Sequence, residues 1–139
     1  MDRKELLIEY ANCLADPAYV IENYYQTFDK TKERFVPFKL FLRQKDLIHN
    51  YEKYRYNLVL KYRQAGITTV TAAYAAAKTV LGNPENPEKI LILANKQETA
   101  IEFLNKIVEF IKQSPVFLLE NVGKIKDGKV EFPKGAQKH

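Results

Sequence analysis

The stretch best suited to chemistry is Leu58-Val59-Leu60-Lys61-Tyr62-Arg63-Gln64-Ala65-Gly66-Ile67-Thr68-Thr69. An apolar run ends in a cationic turn. The turn ends in Gly66 and two threonines, and a small-residue helix follows. Strand, glycine-containing turn and helix start is the layout of a phosphate-binding loop, because turn N–H groups and the helix dipole together favour an anion. Against the pattern G-x-x-x-x-G-K-[ST], Gly66 holds the second glycine position and Thr68 the hydroxyl position. Ile67 stands where the lysine belongs, and Lys61 where the first glycine belongs. A lysine at the strand's end, at the mouth of the loop, can reach β- and γ-phosphates from the opposite rim, leaving Thr68 to ligate Mg2+. The same residues also fit a plainer account, a turn followed by a helix start.

The wording K-Y-R-Q-A-G-I-T-T resembles the deviant Walker A motif of tailed-phage large terminases, the ATPases that pump DNA into capsids. Three more segments agree in order. Asp16-Pro17-Ala18-Tyr19-Val20-Ile21-Glu22-Asn23-Tyr24 resembles the segment before the ATPase core. Val36-Pro37-Phe38-Lys39-Leu40-Phe41-Leu42-Arg43-Gln44 resembles the adenine-recognition region, and Leu91-Ile92-Leu93-Ala94-Asn95-Lys96 the second strand and its turn. The resemblance implies ATP and Mg2+ as cofactors. It places Gln44, Lys61, Arg63, Gln64, Ala65, Gly66, Ile67, Thr68 and Thr69 around the nucleotide, with Thr68 on the metal. Arg63 lies where the family carries an arginine implicated in triggering hydrolysis, and is the catalytic candidate. Gln44 would read adenine at N6 and N7, since a carboxamide offers a donor and an acceptor together. Double-stranded DNA, a portal and a small terminase subunit are the implied partners, in an oligomeric motor in the host cytoplasm.

Composition sets the outer limits. The chain has 139 residues, 46% hydrophobic, enough for one domain core. Lys and Arg number 22 against 17 Asp and Glu, a net +5 that suits nucleic acid or, more commonly, a solvated basic surface. One cysteine, Cys13, excludes an internal disulfide framework, and with only His49 and His139 a zinc site is not expected. No apolar run reaches membrane-spanning length and no signal-peptide core opens the chain, which reads as intracellular and soluble.

Positioning elements follow from periodicity. Leu6, Leu7, Tyr10, Ala11 and Leu14 make one face of a helix over 3–15. Asp16 caps a second helix with Pro17 at its first position. Residues 27–34 read as a charged loop and 43–50 as a helix with Leu47 and Ile48 inward. The basic-aromatic run Tyr51-Glu52-Lys53-Tyr54-Arg55-Tyr56 reads as a solvated connection. Residues 57–61 and 89–94 read as buried strands, apolar on both faces. An alanine-rich helix spans 68–81, its small residues suited to lying close on a sheet. Asn95 and Glu98 have capping-box spacing before a helix striped by Ala100, Ile101, Leu104, Ile107, Val108 and Ile111. Asp127-Gly128 marks a hairpin.

The resulting expectation is an α/β fold: a partial P-loop NTPase core of three layers with parallel strands at 57–61 and 89–94, preceded by N-terminal helices. An N-terminal helical segment (1–34) precedes the front of the ATPase domain (35–139). No segment after Lys61 reads as an apolar strand ending in Asp-Glu, so the Walker B pair, like the nuclease domain, is expected further downstream, and the chain reads as the front of a larger motor. Two other functions fit the same residues: a segment of a helicase-like DNA-dependent ATPase, or a non-catalytic basic module binding DNA or protein. Without the acidic pair, the chain is expected to show negligible ATP turnover in steady-state assays on metal-clean protein. Robust turnover abolished by a substitution within these residues would reveal an unrecognised catalytic carboxylate.

Overall fold

The computed structural model describes residues 2–29, 31–59, 66–82, 90–119, 125–126 and 129–130. Helix α1 (Arg3–Ala15) starts at a capping box in which Asp2 accepts from the Glu5 N–H and Glu5 accepts from the Asp2 N–H. Helix α2 (Pro17–Tyr24) starts at Asp16, whose carboxylate accepts from the Ala18 N–H at 3.0 Å, with Pro17 supplying a preset φ. Helix α3 spans Leu42–Lys53, α4 Ile67–Val80, α5 Gln97–Gln113 and α6 Val116–Leu119.

Helix α4 is the centre of the molecule. Val70, Ala72, Ala73, Ala76, Ala77 and Val80 are fully shielded from water, and α2, α3 and α5 all pack against this helix. Alanine makes that possible, because a methyl side chain lets neighbouring backbones approach. Around it lie Val20 and Ile21 of α2, Ile48 of α3 and Ile111 of α5, all at 0% exposure. Burying each of these larger side chains is worth about 1.5–3 kcal/mol.

The parallel three-layer core expected from the sequence is not the fold. Among the described residues the only ladders are antiparallel: β1 (Gln26–Asp29) with β2 (Arg34–Pro37), and β3 (Ile125–Lys126) with β4 (Lys129–Val130). The described residues are mostly helical. Residues 57–59 and 90–94 are in no strand, while residues 60, 61 and 89 lie outside the described residues. Leu58, Leu91 and Leu93 stand 91%, 83% and 84% exposed. A strand needs main-chain partners as well as apolar side chains. Here the alanine faces of α4 are taken up by other helices rather than by a sheet.

Smaller expectations also shift. The charged stretch at 27–34 is one arm and the tip of the β1–β2 hairpin, with Gln26 opposite Pro37 and Asp29 opposite Arg34. The apolar face of α1 is rotated from the expected one: Cys13 is buried, whereas Leu7 and Leu14 are 62% and 50% exposed. Lys96, with no side-chain cap, precedes α5 in place of Asn95. The buried side of α5 runs through Ile107, Phe110 and Ile111, leaving Ile101 48% exposed. Lys126 stands opposite Lys129 as the hairpin signal expects, while Asp127 and Gly128 themselves lie outside the described residues.

Two polar fasteners hold the helices. Glu9 of α1 accepts hydrogen bonds from the hydroxyls of Tyr19 and Tyr24 of α2. Burial, then the same carboxylate, raises the Tyr24 hydroxyl above the ordinary phenol range, and burial followed by the Glu9 charge pushes the Cys13 thiol up to about 11. Tyr25, just after α2, shares a 3.0 Å hydrogen bond with Ser114 at the end of α5, and Phe110 stacks tilted against its ring at 5.3 Å. The hydrophobic cluster these contacts close includes residues from both sides of residue 34.

The exposure of 90–94 makes a direct prediction. Changing Leu91 and Leu93 together to Ser should alter unfolding free energy by no more than about 0.5 kcal/mol each, as for other surface positions. In a strand covered on both faces the same pair would cost several kcal/mol from lost burial and desolvated hydroxyls. Urea denaturation followed by circular dichroism distinguishes the two.

Candidate functional site

The site begins at Gly66, which has φ +72° and ψ 11° and immediately precedes α4. This left-handed conformation costs an L-residue roughly 1–2 kcal/mol but glycine almost nothing. It precedes α4, whose first N–H groups have no partner within the helix itself. No side chain caps α4, and its first turn contains no acidic residue. The positive end of the helix dipole is therefore not offset by a carboxylate of its own first turn. Ile67, Thr68 and Thr69 follow, all half-buried.

Gln44 comes to the same place from α3. Its side chain is 7% exposed. Its Oε1 accepts from the Phe41 N–H at 2.9 Å, closing the start of α3. Its Nε2 faces the loop glycine: a Cβ built on Gly66 would lie 3.0 Å from that nitrogen. Gly66 is thus required twice, by its backbone angle and by the close approach of a buried carboxamide. The tertiary structure brings together Gln44, Gly66 and the Thr68-Thr69 pair. As placed, the Gln44 carboxamide is turned toward Phe41 and Gly66 and has one oxygen lone pair left for a further donor.

Ile67 and Thr68 line a cavity of about 340 Å³, shared with Thr71, Ile92, Leu93, Thr99 and Phe103. Ile67 faces apolar neighbours, a setting in which a lysine ammonium would lose its hydration. Lys61, Arg63, Gln64 and Ala65, the remaining candidates of the loop, lie outside the described residues. No group of three or more His, Cys, Asp or Glu side chains among the described residues is arranged to hold a metal ion. Thr68, which the resemblance assigns to Mg2+, stands in the first turn of α4.

The sequence did not single out a neighbouring polar cluster. Tyr51 of α3 shares a 3.0 Å hydrogen bond with Thr71 of α4, and the Tyr74 hydroxyl donates to Glu52 at 3.1 Å. Lys78 pairs with Glu52 at 3.4 Å, and the Tyr51 and Tyr74 rings stack at 5.1 Å. Thr71, Tyr74 and Lys78 recur at three- and four-residue steps, so they share one stripe of α4. That spacing was the available signal, hidden among the alanines. The stripe and residues 90–93 border a second cavity of about 520 Å³, contiguous in its lining with the first through Thr71, Ile92, Leu93 and Phe103.

No protein-family model matches this chain, and no curated protein matches it.

The geometry at Gly66 predicts the outcome of adding one methyl group. Gly66→Ala should destabilise the protein by about 1–2 kcal/mol through the left-handed φ. Pairing it with Gln44→Ala relieves only the 3.0 Å approach and leaves the backbone cost in place. Denaturant midpoints of the two single variants and the double variant, read as a cycle, separate the terms.

Proposed function

We propose that this chain is the amino-terminal ATP-binding segment of a DNA-packaging motor of the large-terminase type. The observation that carries the proposal is the meeting of Gln44 with Gly66 at the start of α4. Gln44, which the resemblance gives to adenine, and Gly66, which it gives to the phosphate loop, come from separate stretches of sequence and lie adjacent in space. The proposal rests on this local arrangement alone, since the parallel sheet expected around it is not found among the described residues.

In this reading the turn before α4 receives the phosphates, with Lys61 supplying the ammonium that Ile67 does not. Thr68 offers its hydroxyl to Mg2+, Gln44 reads the adenine edge, and Arg63 acts on the γ-phosphate. ATP supplies the energy for moving double-stranded DNA, and a portal and a small terminase subunit are the assembly partners, in the host cytoplasm. No described helix is long and apolar enough to cross a membrane. A second reading, a non-catalytic basic module that binds no nucleotide, is favoured by one observation: residues 57–59, which lead into the loop, form no strand.

Titration with a fluorescent ATP analogue decides between them. Lys61→Ala should weaken binding by about one to two orders of magnitude, as expected for loss of a charge-assisted phosphate contact. Gln44→Glu keeps an acceptor for the Phe41 N–H but loses the donor for adenine N7, and should erode the preference for ATP over GTP. Wild-type affinity in Lys61→Ala would remove the relocated lysine from the mechanism. Absence of nucleotide binding by the wild-type protein would select the second reading.

A further inference from the structure

At the end of α3 and just beyond it the chain presents four residues that the nucleotide site does not use: Lys53, Tyr54, Arg55 and Tyr56. Tyr54 is 52% exposed and Tyr56 80% exposed. Each ring carries a cation from the preceding residue. The Lys53 Nζ lies 5.3 Å from the centre of the Tyr54 ring, and the Arg55 guanidinium 5.2 Å from that of Tyr56. Neither cation is in an ion pair with a described residue, whereas the adjacent Glu52 is engaged by Lys78. The Asn57 amide donates to the Tyr54 carbonyl at 3.1 Å, so the stretch is held in a bend rather than left as a free tail.

We propose that Tyr54 and Tyr56, with Lys53 and Arg55, form a binding surface for single-stranded nucleic acid, independent of the nucleotide site. Each exposed ring offers its free face to an unpaired base, and the Lys53 and Arg55 cations held over the rings supply positive charge for the connecting phosphates. Stacking on an exposed ring requires a base with a free face. A duplex interior offers none, which selects single strands over intact double helix. Every base has a π-face, so the surface is tolerant of sequence, and the phosphate contacts make binding sensitive to salt. The cation over each ring also raises the value of a stacked base by fixing the ring's orientation before the strand arrives.

Fluorescence anisotropy with a labelled oligothymidylate, and with a duplex of matching length, tests this in the full chain. The single strand should bind more tightly than the duplex. Changing Tyr54 and Tyr56 together to Ala should weaken single-strand binding at least about tenfold, given the worth of base–aromatic stacking. Both side chains are largely in water, so the fold, followed by circular dichroism, should be unchanged. The Tyr54→Phe, Tyr56→Phe pair keeps the rings and should retain wild-type affinity within about twofold. Arg55→Gln should flatten the dependence of affinity on salt. Binding of the ATP analogue should be the same in wild type and the Ala pair, so failure here and failure at Gly66 are read separately. Equal single-strand affinity in wild type and the Ala pair, equal or tighter binding of the duplex, or no strand binding by the wild-type protein would each overturn the proposal.

Discussion

The structure depends on how closely other helices can approach α4. Its alanines remove side-chain volume where α2, α3 and α5 converge, and Val70 and Val80 fill the ends of that contact. A larger residue at Ala72, Ala73, Ala76 or Ala77 would have to displace a neighbouring helix, and close-packed interiors resist such displacement. This constraint also positions the candidate site. Seating α4 against α3 brings Gln44 to Gly66, so the geometry at the helix start is a consequence of packing along the helix body.

Around that packing, hydroxyl groups are used as fasteners. Tyr19 and Tyr24 converge on Glu9, tying α1 to α2. Tyr25 reaches Ser114, and the side chain of Gln113 accepts from the Gln26 N–H, tying the end of α2 and the start of the hairpin to the end of α5. Each phenol buries most of its ring while its oxygen finds a partner, which lets tyrosine serve both core and network. Among the described tyrosines the exceptions are Tyr54 and Tyr56, whose rings are left mainly to water and to neighbouring cations.

The apolar segments at 57–59 and 90–94 show a different balance. Ile92 packs against the core while Leu91 and Leu93 point outward. Alternation of this kind is strand-like in its side chains, yet no ladder forms at these residues. Exposed leucines outside any ladder leave apolar surface facing solvent, which natural proteins ordinarily cover.

The sequence by itself determined the features that rest on local chemistry. Asp16-Pro17 set the start of α2, the alanine run set α4, and Asp127-Gly128 marked the β3–β4 pairing, because caps, propensity and turn preferences act over a few residues. Gly66 was legible as the glycine of the turn for the same reason, and its positive φ bears out the need for glycine there, although α4 begins at Ile67 rather than Thr68. What only the tertiary structure decided was which surfaces meet. Apolar runs at 57–61 and 89–94 read equally well as covered strands, since hydrophobicity records that a side chain favours burial but not what buries it. The alanine face of α4 suits a sheet or a helix, and helices α2, α3 and α5 occupy it. The hairpin at 26–37 was hidden because its pairing lies between stretches whose polar residues carry no alternation. The contact between Gln44 and Gly66 follows from the seating of α3 on α4, a long-range outcome that neither segment encodes alone.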